Sequence, residues 1–215
     1  MNPSSSPSLT KIRRHRAPVR IMHWLNVPIL CAMLMSGWGI YNASPIFPAF
    51  TFPSVLTLGG WLGGAIAWHL AVMWALAANG LLYILWGIGS GHFRRDFLPL
   101  TPRTLARDVK LALTLRLAHR LGRYNAIQKA FYWFALACGL LLVLSGLSMW
   151  KPVQLYRLAA LFGGFDRARY VHFFAMSGIV LFAVVHVAMV IAVPSTFWPM
   201  ITGVIRRSPR DAQDE

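Results

Sequence analysis

The sequence predicts an all-α integral membrane protein, a four-helix bundle with an amphipathic helix at the inner interface. Three observations predict it. Charged residues make up 13% of the chain against 57% hydrophobic, where soluble domains carry roughly a quarter charged residues. No Asp, Glu, Lys or Arg occurs over residues 21–93, 130–150 or 170–205. A span needs about 20 apolar residues, so these runs have room for four, the first holding two around a break at Pro45, Pro48 and Pro53.

The third observation is where the cations stand. A net charge of +15 would suggest nucleic acid in a polar chain, but here the basic residues edge the spans and nucleic acid is excluded. Seventeen of the 21 cations lie in the N-terminal segment, the stretch from Arg94 to Lys129 and the tail; the first connection has none and the third has Lys151, Arg157, Arg167 and Arg169. Positive loops stay cytoplasmic, which places both termini in the cytoplasm. The chain divides into a basic N-terminal segment (1–20), a four-span unit (21–205) and a short tail (206–215).

Span one covers about 21–41, with Pro28 expected in its first turns, where a missing amide costs least. It contains His23, Trp24 and Asn26 and lacks a small-residue cleavage site, so it reads as a span rather than a signal peptide. Residues 42–60, uncharged and rich in Pro and aromatics, are expected at the outer interface. Span two covers about 61–89. From Thr101 to Leu121, Leu105, Val109, Ala112 and Leu113 recur at helical spacing opposite Arg103, Arg107 and Lys110, which predicts a helix lying on anionic lipid. Spans three and four cover about 126–150 and 168–193. Cys31 and Cys138 fall inside spans and read as packing thiols.

Four of the seven histidines lie within spans; His15, His92 and His119 stand among cytoplasmic cations, where solvated or lipid-facing roles suffice. A single intramembrane histidine can be a neutral hydrogen-bonding group between helices. The depths say more. His23 is three residues past Arg20 at the inner face, and His69 lies roughly 37 Å from Arg94, in the outer half of span two. His172 is three residues past Arg169 at the outer face, and His186 is 14 residues further on. That separation brings both to within about 40° of one helix face, about 21 Å apart. The depth pairs are His69 with His172 and His23 with His186.

Zinc wants three or four converging ligands, and the spans contain no carboxylate. Haem is a large apolar plate needing two axial ligands, and it fits both levels. Gly37, Gly39, Gly139, Gly146 and Gly178 are small enough to let a macrocycle, or another helix, approach. With both axial positions filled the iron is left with outer-sphere electron transfer. Arg20 at the inner edge and Arg167 or Arg169 at the outer are candidate propionate contacts, interfacial anchoring being the alternative.

The segments HRAPVRIMHWLN (15–26), RYNAIQKAFYW (123–133) and VHFFAMSGIVLFAVVHV (171–187), with WPMITG after span four, resemble the bacterial cytochrome b561 group. This group includes the b cytochromes of nickel-iron hydrogenases, formate dehydrogenases and thiosulfate reductases. The resemblance implies two haem b groups, a bacterial inner-membrane location and a periplasmic redox subunit, a molybdenum, iron-sulfur or nickel-iron enzyme. It also implies a quinone site near the inner haem. The formate dehydrogenase branch carries a Tyr-Asn-x-Gly-Gln-Lys motif there, and residues 124–129 match it with Ile127 in place of the glycine, which makes Asn125 and Gln128 the candidate quinone residues. Helix capping by Asn125 is the alternative. The expected function is transmembrane electron transfer between a periplasmic oxidoreductase and the quinone pool. A stand-alone oxidoreductase, for example superoxide:quinone, and a non-redox bundle are the other readings.

Overall fold

The computed structural model describes residues 10–13, 15–114, 116 and 124–207. His119 and the C-terminal half of the expected interfacial helix therefore lie outside the described residues. The uncharged runs form the four long helices α1 (Ala17–Ala43), α2 (Leu62–Gly89), α4 (Ala126–Trp150) and α6 (Phe165–Ala192), each long and apolar enough to cross a membrane. Shorter elements join them: α3 (Pro102–Leu113), α5 (Tyr156–Leu161) and α7 (Phe197–Thr202). At the ends of the described chain, β1 (Thr10–Arg13) pairs antiparallel with β2 (Val204–Arg207), with Ile12 opposite Ile205. This ribbon holds the two ends of the chain together at one end of the bundle.

Helix α1 begins at Ala17, with Pro18 in its first turn, so it takes in Arg20 and starts ahead of the uncharged run. Pro28 consequently sits in the helix interior rather than in the first turns as expected. Its missing N–H leaves the Trp24 carbonyl without its helical donor.

The closest packing is within two pairs, α1 on α2 and α4 on α6. Small residues set the first crossing: a Cβ on Gly39 would stand 3.0 Å from the Ala65 Cβ, a close approach of the kind that joins helices where no hydrophobic force operates. Deeper in, the Asn79 amide on α2 donates to the Met22 carbonyl (2.9 Å) and to Asn26 Oδ1 (2.7 Å) on α1. Cys138 is a packing thiol, its Sγ 2.9 Å from the Cβ position of Gly178, and both cysteines are free.

Residues 42–61 form a folded cap on the bundle. The Asn42 side chain bonds both the N–H and the carbonyl of Phe52 (2.9 and 2.8 Å), and the Phe52 ring stacks on Trp38 at 4.6 Å. At the opposite end α3 is capped by Thr101 and Thr104. Its buried Asp108 accepts from the Ala126 N–H at 2.8 Å, which places a carboxylate at the N-terminus of α4, where the helix dipole favours it.

Candidate functional site

His69 and His172 are each held by a serine on the neighbouring helix. On α2, His69 Nδ1 lies 3.0 Å from Ser36 Oγ of α1, and on α6 His172 Nδ1 lies 3.0 Å from Ser145 Oγ of α4. Each hydroxyl also donates backward along its own helix, Ser36 to the Ala32 carbonyl (2.6 Å) and Ser145 to the Leu141 carbonyl (2.5 Å). With its proton committed there, the oxygen offers the imidazole only a lone pair, so Nδ1 carries the hydrogen and Nε2 carries the lone pair.

A glycine follows each serine. A Cβ on Gly37 or on Gly146 would stand 3.3 Å from Cε1 of His69 or His172 respectively, so the smallest residue makes room for each ring. Ser36-Gly37 and Ser145-Gly146 thus act alike at matching places, one in each helix pair. Neither serine was singled out from sequence. The Ser-Gly dipeptide is a weak signal, since it also occurs at Ser90-Gly91 and Ser177-Gly178, and serine is a common helix-packing residue.

The four span histidines come together in two pairs across the seam between the helix pairs. The rings of His69 and His172 have centroids 6.3 Å apart, and those of His23 and His186 6.0 Å. Glycine roles divide: Gly37 and Gly146 face the histidines, Gly39 and Gly178 meet other side chains, and Gly139 has nothing within 4 Å of its Cβ position.

At the end bearing His23, the Arg20 guanidinium donates to the Ile201 carbonyl, while its Nε is buried without a hydrogen-bond partner. Trp24 donates to the Met200 carbonyl at 3.1 Å, and a cavity of about 390 Å³ opens beside Arg20, Trp24 and Met200. At the other end, Arg169 donates to the Ser44 carbonyl and Arg167 lies across Gly163. Arg20 and Arg169 are each three residues before a span histidine, one at either end of the bundle.

Asn125 and Gln128 form a reciprocal cap on α4: Asn125 Oδ1 accepts from the Gln128 N–H (2.8 Å) and Gln128 Oε1 from the Asn125 N–H (3.1 Å). Their oxygens are engaged in the helix start, which leaves the NH₂ groups as the donors the cap does not use.

The expected solvated or lipid-facing role of His92 is overturned. Its side chain is buried, packed among Trp86, Phe93 and Phe97, because a wide helical turn (Phe93–Phe97) folds the chain back under α2. Burial pushes its pKa down, with Asp96 opposing.

The sequence pattern of the prokaryotic cytochrome b561 family matches residues 14–203. A chain of Azospira oryzae, provisionally named protein-methionine-sulfoxide reductase subunit YedZ1, is 50% identical over 190 residues, 88% of this chain and 96% of the relative. The formate dehydrogenase cytochrome b556(fdo) subunit of Escherichia coli K12 is 24% identical over 199 residues, 89% of this chain and 84% of that one. With four membrane helices and a match running nearly end to end, the chain belongs to the prokaryotic cytochrome b561 family of multi-pass haem b electron carriers.

Proposed function

We propose that this chain is a dihaem subunit that carries electrons between a quinone at the cytoplasmic face and a periplasmic oxidoreductase. The observation that carries the reading is the pairing of four histidines at two levels. Two imidazoles on opposite sides of one first-row metal ion, each bonded at about 2 Å with its centroid roughly 1.1 Å behind the bonded nitrogen, stand about 6 Å apart. The observed 6.3 and 6.0 Å fit that distance. Among the described residues no group of three or more His, Cys, Asp or Glu converges, so two-ligand coordination favours an iron whose other ligands come from a porphyrin.

In this reading His69 and His172 hold the outer haem, and His23 and His186 the inner. Bound there, the haems supply one-electron storage. The protein residues orient the ligands, through Ser36 and Ser145, and neutralise propionates. Arg20, with a buried unpaired Nε, is the strongest candidate for the inner group, and Arg169 or Arg167 for the outer. Asn125 and Gln128 offer NH₂ donors to a quinone at the start of α4. Both termini are cytoplasmic by the charge asymmetry, and the exposed Val109 and Leu113 of α3 would rest in anionic lipid.

The name of the Azospira relative favours a protein-methionine-sulfoxide reductase as the partner, and in this reading electrons run from quinol to it. It also favours the subunit reading over a stand-alone superoxide oxidase. Pyridine haemochrome analysis is expected to give two haems b per chain, with both reduced by a quinol in proteoliposomes. One haem or none would sink the reading.

Removing a serine tests the ligand orientation separately. Ser36→Ala or Ser145→Ala is expected to weaken outer-haem binding about 10- to 100-fold, the usual cost of losing a hydrogen-bond partner behind a metal-bound histidine. Haem titration of the apoprotein, with the inner site as internal control, measures it.

A further inference from the structure

Away from the histidine pairs, a continuous hydrogen-bonded chain joins the membrane interior to the cytoplasmic end of α2. Tyr132 of α4 and Tyr83 of α2 share a hydrogen bond between their hydroxyls at 3.0 Å. The Tyr83 hydroxyl lies 3.3 Å from His92 Nε2, and His92 Nδ1 lies 2.6 Å from Asp96 Oδ2. Asp96 is about a quarter exposed and is also bound by Arg95 at 3.1 Å.

Both ends of the chain are well placed. Tyr132 stands four residues past Gln128, on the same face of α4. Tyr83 stands four residues past Asn79, whose amide holds the carbonyl of Met22, the residue before His23. The chain therefore starts at the level of the inner histidine pair and the candidate quinone residues, and ends at a carboxylate that reaches water. Aromatic rings line His92; the charged groups near it are Asp96, Arg95 and Arg16. Burial alone would raise the Asp96 carboxyl, but Arg95 and His92 hold it below its ordinary value. At neutral pH Asp96 is thus an acceptor for the Nδ1 hydrogen, and His92 Nε2 an acceptor for Tyr83.

We propose that Tyr132, Tyr83, His92 and Asp96 form the proton path between the quinone site and the cytoplasm; this rests on the quinone reading above. When a quinol is oxidised to quinone, two electrons leave one at a time for the inner haem and two protons must leave as well. For each proton, Tyr132 takes the hydrogen of the quinol O–H and passes its own to Tyr83. Tyr83 passes its own to His92 Nε2, and the Nδ1 hydrogen moves to Asp96 and on to water. Every bond broken is matched by one formed, and the resting polarity of the hydrogen bonds already points outward to Asp96. Quinone reduction would use the same path reversed.

The test uses the haem-loaded full chain in proteoliposomes with duroquinol as probe. Tyr83→Phe and Tyr132→Phe keep the rings and remove only the links. Both are expected to slow haem reduction by duroquinol tenfold or more, with both haem spectra intact and with reduction by methyl viologen radical, which carries no proton, unchanged. In spectrally intact variants, a loss smaller than fivefold overturns the path. A wild-type chain that takes no electrons from duroquinol overturns the quinone reading instead. Independently of turnover, the His92 Nε2 resonance of isotopically labelled protein should move in Tyr83→Phe. An unmoved resonance overturns the Tyr83–His92 link.

Discussion

Replacing either His69 or His172 with alanine is expected to remove the same haem and lower the content from two per chain to one, while the other haem keeps its spectrum. Replacing His23 or His186 is expected to remove the other. The grouping follows from the ring pairs, at 6.3 and 6.0 Å across the seam between the helix pairs. It differs from grouping by sequence order, which would join His172 with His186. If each ring pair holds one iron, loss of either imidazole would leave that haem weakly held. Haemochrome stoichiometry and low-temperature spectra of the four single variants check it. A His23→Ala, His69→Ala double variant that still holds one haem with an unchanged spectrum would contradict the pairing, since it removes one ligand from each level.

The second large effect lies in the turn that seats α2. Gly59→Ala is expected to destabilise the protein by about 3 kcal/mol or more, the range of a strained backbone added to a steric clash. Gly59 has φ +112°, and a Cβ there would stand 2.3 Å from the Ala65 backbone nitrogen, with no flexible side chain to move aside. Gly60 is the control. It also has positive φ, +73°, but nothing lies within 4 Å of its Cβ position, so Gly60→Ala should cost only about 1–2 kcal/mol. For a chain of this size the difference corresponds to several degrees in thermal midpoint, measured by haem absorbance in detergent. Equal midpoints for the two variants would refute the argument. The turn bears on function because it sets where α2 begins, and His69 is two turns along that helix.

Much of this molecule was legible because the bilayer imposes a simple rule. Buried charge is costly in hydrocarbon, so the uncharged runs outlined four spans, and at 1.5 Å per residue position along a span became depth. Depth grouped His23 with His186 and His69 with His172, and the structure brings those rings together. What depth could not supply was rotation about the helix axes and contact between helices. Ser36 and Ser145 act on a histidine 33 and 27 residues away, and nothing in the local pattern distinguishes them from packing serines.

His92 was misjudged for a related reason. It follows the last turn of a span among arginines, which in sequence reads as a solvated edge. The wide turn at Phe93–Phe97 folds it back beneath α2, against aromatic rings and within reach of Tyr83. Asn125 and Gln128 were recognised as a helix start with polar side chains, but their reciprocal cap became clear only once their atoms were placed.

By itself, then, the sequence determined the solvent of this protein, the number of its spans and the order of the four span histidines along the helix axes, because hydrophobicity and helical rise act residue by residue along one axis. The tertiary structure decided which serine turns His69 and which His172, which glycine admits each of those rings and which tyrosine reaches His92. Those relations join residues of different helices, and their orientation about the helix axes is set only when the helices pack.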